Sequence, residues 1–296
     1  MRMQAFFMER DVYGWLKTWK TEKNRKPLII RGARQVGKTW LVNQFGRTEF
    51  DTLIDINFEF QPQMKSCFTS LDPKEIIQRI ELSLNVDIIP GNALLFLDEI
   101  QECPEAVKAL RYFYEKLPAL HLIAAGSLLE FIMEAEAISF PVGRVQSIHL
   151  LPLSFGEFLS ACGEYKLRQW FQNLSIAQHI PESIHVKSVT LLREYLYLGG
   201  MPETIATFLD AKNLQKTDEI HQLLLQSYKN DFGKYGKHVN FRLLEKVFTK
   251  SPATVGNKFK YAGIDSDVNA RDIKKPLNLL LKAHILYKVT AASGAG

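Results

Sequence analysis

One eight-residue segment near the N-terminus constrains the fold of this chain more than any other feature. It fits the spacing G-x-x-x-x-G-K-[ST] without a mismatch and reads Gly32-Ala33-Arg34-Gln35-Val36-Gly37-Lys38-Thr39. The apolar run Leu28–Arg31 precedes it, and a helical pattern at Trp40–Phe45 follows it. Because this strand–loop–helix context is the one in which the motif has structural meaning, it predicts an α/β fold.

Further short apolar runs rich in strand-forming residues follow at Leu53–Phe58, Ala93–Leu97, Leu120–Ala125 and Ser147–Leu151. Helical patterns lie between them at Pro73–Leu84 and Glu105–Leu117. Strands that alternate with helices predict a parallel sheet with helices on both faces. We assign this α/β domain to residues 1–158.

The strand signal then fades, and residues 159–239 are predicted to form a helical, lid-like domain. Helices are expected at Leu191–Leu198 and Glu219–Tyr228, separated by the break Gly199-Gly200-Met201-Pro202. Residues 240–296 are predicted to form a winged-helix-like segment of three helices and a strand. Those elements are Phe241–Thr249, Asn257–Ala262, a helix from near Asn269 and a strand at Ile285–Thr290.

The third helix of this segment carries two further expectations. Asp265-Ser266-Asp267 offer oxygens that could cap its N-terminus. Pro276 lacks an N–H and disfavours the helical conformation at Lys275, which predicts either a kink or a helix that begins late.

The residue types of the first segment suit phosphate binding. Its glycines allow backbone N–H groups to turn inward around phosphate oxygens, and the helix that follows adds the positive end of its dipole. Lys38 could reach the β- and γ-phosphates, and the Thr39 hydroxyl could coordinate Mg²⁺. The alternative is a glycine-containing loop that matches by chance. The segment predicts a nucleoside triphosphate and Mg²⁺ as ligands.

An acidic pair, Asp98 and Glu99, ends the apolar run at Leu94–Leu97. An acid at the end of such a strand can hold Mg²⁺, which suits Asp98, whereas Glu99 would polarise an attacking water as a general base. The alternative is a pair of solvated acids. A Glu directly after the Asp also favours folds with an extra strand between the loop strand and the acidic strand, and Leu120–Ala125 is the natural candidate.

Two further residues are candidates for contacts at the γ-phosphate. Ser127 follows the fourth strand and could hydrogen-bond the γ-phosphate or the attacking water, or cap the helix after it. Arg144 precedes the fifth strand and could neutralise charge on the γ-phosphate, either within one chain or from a neighbouring subunit, or form a surface ion pair. Arg34 and Gln35 could shape the loop or contact the ligand.

The eight-residue segment, the acidic pair and the residues around Ser127 and Arg144 together resemble prokaryotic AAA-type ATPases of the archaeal-ATPase-like kind. The generic part of the resemblance is RGARQVGKT at Arg31–Thr39 and LLFLDEIQ at Leu94–Gln101, together with AAGS at 124–127 and GR at 143–144. The specific part is LLPLSFGEFL at Leu150–Leu159 and YLGGMPE at Tyr197–Glu203, and Gly256–Val289 is also similar to the family. The resemblance implies ATP as the nucleotide and a distantly nuclease-like C-terminal region, of which this chain would hold only the beginning.

The charge of the chain is uneven. From Lys229 onward there are 13 Lys/Arg and five Asp/Glu, a net charge of +8, whereas the remainder carries 24 and 27, a net charge of −3. A basic C-terminal third suggests a polyanionic partner or a solvated surface. The candidates for phosphate contacts on the predicted third helix are Arg271, Lys274, Lys275 and Lys282. That helix could equally dock a protein.

Three classes of function remain open. They are an ATPase, a nucleotide-controlled DNA- or protein-binding switch with little hydrolysis, and a non-hydrolysing relative whose shortened C-terminal region costs it activity. No apolar run approaches the ~20 residues of a membrane span, so no membrane partner is expected. Cys67, Cys103 and Cys162 have neither metal-ligand spacing nor the spacing of a disulfide framework, which favours a cytoplasmic protein. An oligomer is expected if Arg144 acts between subunits.

Overall fold

The computed structural model describes residues 8–127, 143–175, 177–232 and 240–290. Its central element is a five-stranded parallel sheet in the order β2-β3-β4-β1-β5. The strands are Leu28–Arg31 (β1), Thr52–Asn57 (β2), Ala93–Asp98 (β3), His121–Ala125 (β4) and Gln146–His149 (β5). All five predicted strands are confirmed, and their ends differ from the prediction by at most two residues. β4 lies between β1 and β3, as the adjacent acidic residues predict.

Helices cover both faces of the sheet, which explains why the inner strands are apolar throughout. One face of the sheet, with Leu95 and Leu97, packs against α3 and α4. The other face, with Leu94 and Phe96, packs against α1 and α2. These four helices are Val12–Thr21 (α1), Lys38–Glu49 (α2), Pro73–Leu84 (α3) and Pro104–Lys116 (α4).

The middle of the chain is helical, as predicted. Its helices are Phe155–Ala161 (α5), Tyr165–Gln172 (α6), Glu182–Leu198 (α7), Pro202–Ala211 (α8) and Leu214–Asp231 (α9). The predicted break at Gly199-Gly200-Met201-Pro202 separates α7 from α8. Gly200 packs tightly there, since a Cβ atom would lie 2.4 Å from the Leu153 carbonyl oxygen. The break is therefore fixed against the segment that leads into α5.

Three helices follow in the C-terminal unit (residues 240–290), and they share one apolar cluster that includes Val247, Ile264 and Ile273. They are Phe241–Lys250 (α10), Tyr261–Ile264 (α11) and Ala270–Lys282 (α12). α12 continues through Pro276, so the expectation of a late start is wrong. Asn269 caps α12, because its side-chain oxygen accepts from the Arg271 N–H at 3.1 Å. Asp265 instead accepts from Lys246.

The predicted strand at Ile285–Thr290 is wrong, since the described residues 285–290 form no strand. The backbone turns at His284, which has a φ of 55°. The N–H groups of Ile285 and Leu286 then donate to the Leu280 carbonyl oxygen, at 3.0 and 3.2 Å. These hydrogen bonds close the end of α12, as in a helix C-cap. The two N–H groups are therefore not available to pair with a neighbouring strand. The unit is therefore helical where it is described, without the wing.

In the part of the chain that the structure describes, no helix combines the length and apolarity that crossing a membrane requires.

Candidate nucleotide-binding site

The phosphate loop lies between β1 and α2 at the carboxyl edge of the sheet, as predicted. Both of its glycines have backbone conformations that L-residues rarely adopt. Gly32 has a φ of 144°, and a Cβ atom there would lie 2.2 Å from the Leu150 carbonyl oxygen. Gly37 has a φ of 92° and caps α2. The first N–H groups of a helix lack intrahelical acceptors, so the loop ends in donors suited to an anion.

A buried arginine supports the loop from behind. Arg10 is 5% exposed, and its Nη1 donates to the Val36 carbonyl oxygen at 2.9 Å. Its Nε lies 3.0 Å from Glu157 Oε1, and its other terminal nitrogen donates to the Leu151 carbonyl oxygen. Arg10 therefore joins the loop to the segment that follows β5.

Glu157 is the acidic partner of this arrangement and also part of a helix cap. Its carboxylate accepts from the Ser154 N–H at 2.8 Å, and Ser154 Oγ accepts from the Glu157 N–H at 3.1 Å. The S-x-x-E spacing at 154–157 could have revealed this capping box from the sequence. Arg10 carries no comparable sequence signal, because its partners lie 26 to 147 residues away.

Lys38 is folded into the loop that carries it. Its Nζ donates to the carbonyl oxygens of Gly32 and Ala33, at 3.0 and 2.9 Å, and the residue is 7% exposed. Burial lowers the pKa of Lys38 to about 8, although the charges of Glu99 and Asp98 oppose this shift. A phosphate placed in the loop would favour the charged ammonium.

Thr39 and Asp98 meet across the site. Thr39 Oγ1 donates to Asp98 Oδ2 at 2.8 Å, and Asn57 Nδ2 donates to the same oxygen at 3.1 Å. Asn57 pairs with Asp98 in the β2–β3 register. Sequence reasoning missed Asn57, although its place at the end of a strand beside the acidic strand was a usable signal. Burial raises the pKa of Asp98, and the hydrogen bond from Thr39 opposes this.

The residues present fit a hydrated Mg²⁺. A hydroxyl and a carboxylate oxygen are the hard ligands that this ion prefers, and Mg²⁺ usually takes only one or two protein ligands. Thr39 and Asp98 bring one of each to within hydrogen-bonding distance of the other.

Glu99 follows Asp98 in a strained backbone conformation with a φ of 48°. Its N–H donates to Asp98 Oδ1 at 3.1 Å, and its carboxylate accepts from Gln101 Nε2. Burial raises the pKa of Glu99, and the hydrogen bond from Gln101 and the charge of Lys38 oppose this. A carboxylate with a raised pKa is a stronger base, which suits proton abstraction from water.

Ser127 is buried at the carboxyl end of β4. Because β4 lies between β1 and β3, Ser127 lies between the phosphate loop and the acidic pair. The segment that Ser127 was expected to cap, from residue 128, lies outside the described residues. The placement agrees with a γ-phosphate contact, which stays a prediction.

Arg144 lies at the other edge of the sheet. It precedes the amino end of β5, whereas the phosphate loop follows the carboxyl end of the parallel strand β1. Its Nε lies 2.9 Å from Glu115 Oε1 near the end of α4, and its side chain is 46% exposed. Within one chain, this arrangement does not bring Arg144 to the phosphates. Contact from a neighbouring subunit remains the prediction.

The side chain of Arg34 leaves the phosphate loop, and its Nε lies 3.1 Å from the Asp231 carboxylate on α9. Gln35 is exposed with a φ of 63°. The four basic residues singled out on α12, Arg271, Lys274, Lys275 and Lys282, are all exposed. α12 therefore presents basic side chains to solvent, whereas its apolar side chains pack inward.

The sheet order, the loop after β1 and the acidic pair at the end of β3 define an α/β fold of the P-loop NTPase class. Residues 24–159 match the family model described as an AAA domain. This match covers just under half of the chain and supports an AAA-type domain over those residues. Residues 189–295 match a domain of unknown function (DUF8612), and a nuclease-like character of that region is not confirmed. A comparison with curated protein sequences gives no match.

Solved structures share the fold across most of this chain. A Walker-type ATPase of Pyrococcus abyssi is similar with a TM-score of 0.59 and 15% identity, over 93% of this chain and 89% of that one. The ORC2 protein of Aeropyrum pernix, in ADPNP–ADP complexes, is similar with a TM-score of 0.52 and 11% identity, over 93% and 86%. At sequence identities this low, the similarity shows a shared fold and nothing further.

Proposed function

We propose that this chain binds ATP with Mg²⁺ and hydrolyses it to ADP and phosphate. The observation that carries the proposal is the 2.8 Å contact between Thr39 and Asp98, which joins the phosphate loop to the acidic strand. A loop alone could hold any phosphate. The joined pair, with Glu99 next to it, supplies both a metal site and a base for hydrolysis.

Each residue of the site has a distinct role in this proposal. The loop residues 32–39 and the α2 N-terminus hold the phosphates, and Lys38 exchanges its carbonyl acceptors for phosphate oxygens. Thr39 and Asp98 would hold Mg²⁺, which would supply positive charge at the phosphates when bound. Glu99 accepts a proton from the water that attacks the γ-phosphorus, and Ser127 orients the γ-phosphate.

The choice of ATP rests on similarity. The AAA domain match and the ADPNP–ADP complexes of the Aeropyrum pernix protein both support an adenine nucleotide. We also infer a cytoplasmic setting, because Cys67, Cys103 and Cys162 are all free thiols.

The test of this proposal is phosphate release from ATP and Mg²⁺ by wild type and by Lys38→Ala. We expect the substitution to lower release at least about 100-fold, because it removes the charge that balances the β- and γ-phosphates. Lys187→Ala is the matched control, since Lys187 lies on α7, is half-exposed and pairs with Glu164. Equal release by wild type and Lys38→Ala would sink the proposal.

The affinity for ATP should fall as the pH rises above about 8. In the free protein Lys38 loses its proton near its lowered pKa of about 8. In the complex the negative charge of the triphosphate keeps Lys38 protonated. Binding therefore takes up a proton, and the dissociation constant should rise by up to about tenfold per pH unit until the pKa of the complex is reached.

Calorimetry at pH 7, 8 and 9 in buffers of different ionisation enthalpy measures both the affinity and the proton uptake. Lys38→Arg is the control, because a guanidinium stays charged throughout this range. A pH dependence that persists unchanged in Lys38→Arg would exclude Lys38 as its source.

A second candidate function is a nucleotide-controlled binding module with little hydrolysis. The observation that favours it is the exposed basic side of α12, with Arg271, Lys274, Lys275 and Lys282. These side chains suit contacts with DNA phosphates, and a protein partner is the alternative. DNA binding that is strong at low salt and collapses with added salt would favour DNA, and no binding at low salt would remove it.

Arg144 extends the ATPase proposal to an oligomer. Because its place at the amino edge of the sheet keeps it from the phosphates of its own chain, we propose that it acts in a neighbouring subunit. Mixed assemblies of Arg144→Ala and Lys38→Ala subunits test this, since each supplies what the other lacks. Recovery of phosphate release on mixing would support action between subunits, and no recovery would contradict it.

A further inference from the structure

The phosphate loop makes two contacts with the last turn of α9, a helix of the region of unknown function. The Tyr228 hydroxyl donates to the carbonyl oxygen of Arg34 at 3.0 Å. The Arg34 guanidinium Nε lies 3.1 Å from the Asp231 carboxylate, whose side chain is only 4% exposed. One residue of the loop is thus held at both its backbone and its side chain. The two partners are nearly 200 residues away in sequence.

The same turn of α9 is part of the core of the C-terminal unit. Phe232 follows Asp231 directly and lies in that cluster, where its ring packs against Phe248 with centroids 5.2 Å apart. Tyr228 also packs against this cluster, with its ring centroid 6.4 Å from that of Phe248. The contacts with Arg34 therefore connect the phosphate loop to the packed interior of the C-terminal unit.

We propose that Tyr228 and Asp231 are positioning residues of the nucleotide site, which hold the phosphate loop in its binding conformation through Arg34. This inference rests on the proposed ATP-binding function. It gives the region of unknown function a role: α9 completes the nucleotide site, and the loop and the C-terminal unit are coupled through it.

The backbone contact has a direct geometric effect. The carbonyl of Arg34 and the N–H of Gln35 belong to one planar trans peptide, so they point in opposite directions. The Tyr228 hydroxyl fixes the carbonyl toward α9 and thereby turns the Gln35 N–H to the other side of the loop. Gln35 also has a φ of 63°, which a non-glycine residue adopts only when its surroundings impose it. The hydroxyl of Tyr228 is one source of that constraint.

The side-chain contact with Asp231 fixes the position of the Arg34 guanidinium. Arg34 is close enough to influence the other ionisable groups of the site. Burial is the largest cause of the lowered pKa of Lys38, and the charge of Arg34 adds to it. A guanidinium that Asp231 already holds in one place loses little entropy when the triphosphate binds, whereas a free side chain would lose more. Asp231 therefore pre-organises Arg34.

The first experiment compares Tyr228→Phe, which removes only the hydroxyl, with wild type. We expect the KM for ATP to rise about fivefold, with less than a twofold change in kcat, because the loss of one hydrogen bond affects loop shape and not the acids of β3. Asp231→Asn should raise the KM about tenfold. A matched pair for control lies near the other end of α9, where the exposed Asp218 accepts from Tyr197 of α7. Tyr197→Phe and Asp218→Asn should match wild type.

A second measurement requires no nucleotide. Hydrogen exchange of the free protein should be several-fold faster at residues 33–39 in Tyr228→Phe than in Tyr197→Phe. An unchanged KM and unchanged exchange would overturn the positioning role, as would tighter ATP binding by Asp231→Asn, which would make Asp231 a competitor for Arg34. If wild type releases no phosphate while the exchange difference is present, the ATPase proposal fails and the positioning role stands.

Discussion

Replacement of Glu99 by glutamine should abolish ATP hydrolysis and leave ATP binding intact. The amide keeps the shape of the side chain but cannot accept a proton from water, and general-base catalysis of this kind contributes about 10²–10⁴-fold. The phosphate loop, Lys38 and Thr39 are unchanged, so affinity should change little. Phosphate release under single-turnover conditions, together with the dissociation constant of ATP, measures the two effects separately.

The matched control is Glu102→Gln. Glu102 lies three residues after Glu99, in the turn that follows β3, and forms an exposed ion pair with Lys65, so glutamine there should not alter release. Release by Glu99→Gln within a few-fold of wild type would show that Glu99 is not the base. A parallel loss of ATP binding would show that the carboxylate shapes the loop instead.

The raised pKa of Glu99 adds a test by pH. Burial is the largest cause of that shift, and a protonated carboxyl cannot act as a base. Because the pKa lies above that of an ordinary glutamate, hydrolysis should be lost as the pH falls at a higher pH than an ordinary glutamate would give. The acid limb of the profile of kcat against pH reports this group in the complex.

The sheet could be predicted because each strand has a local signal in the sequence, a short run of apolar, strand-forming residues. The run Leu94–Leu97 is apolar on both faces, as a buried parallel strand requires, and its length excludes a long helix. The place of β4 followed from one chemical detail, the Glu directly after Asp98. The loop and acidic pair were found for the same reason, since each is a contiguous segment whose residue types reveal its chemistry.

The supports of the site could not be predicted, because they depend on contacts distant in sequence. Arg10 touches Val36 and Glu157, and Tyr228 touches Arg34, and no spacing in the sequence links these residues. The error at Ile285–Thr290 has a different origin. Alternation there resembles a strand, but a strand needs a partner, and the end of α12 takes the N–H groups of Ile285 and Leu286 instead.

Replacement of Gly32 by alanine should abolish nucleotide binding and destabilise the protein. The φ of 144° is accessible to glycine alone, and such strain costs about 1–3 kcal/mol for another residue. The added Cβ would also lie 2.2 Å from the Leu150 carbonyl oxygen, which is backbone and cannot rotate away. The loop must therefore move away from β5. This movement would also break the hydrogen bond that Lys38 Nζ donates to the Gly32 carbonyl oxygen.

The melting temperature and the ATP dissociation constant of Gly32→Ala measure both effects, with Gly14→Ala as the control. Gly14 lies inside α1 with no atom within 4 Å of an added Cβ, so alanine there should stabilise by about 0.5–1 kcal/mol. The same methyl group should thus have opposite effects at the two positions. Normal ATP binding by Gly32→Ala would mean that the loop tolerates a different path beside Leu150, and that its backbone geometry does not determine phosphate binding.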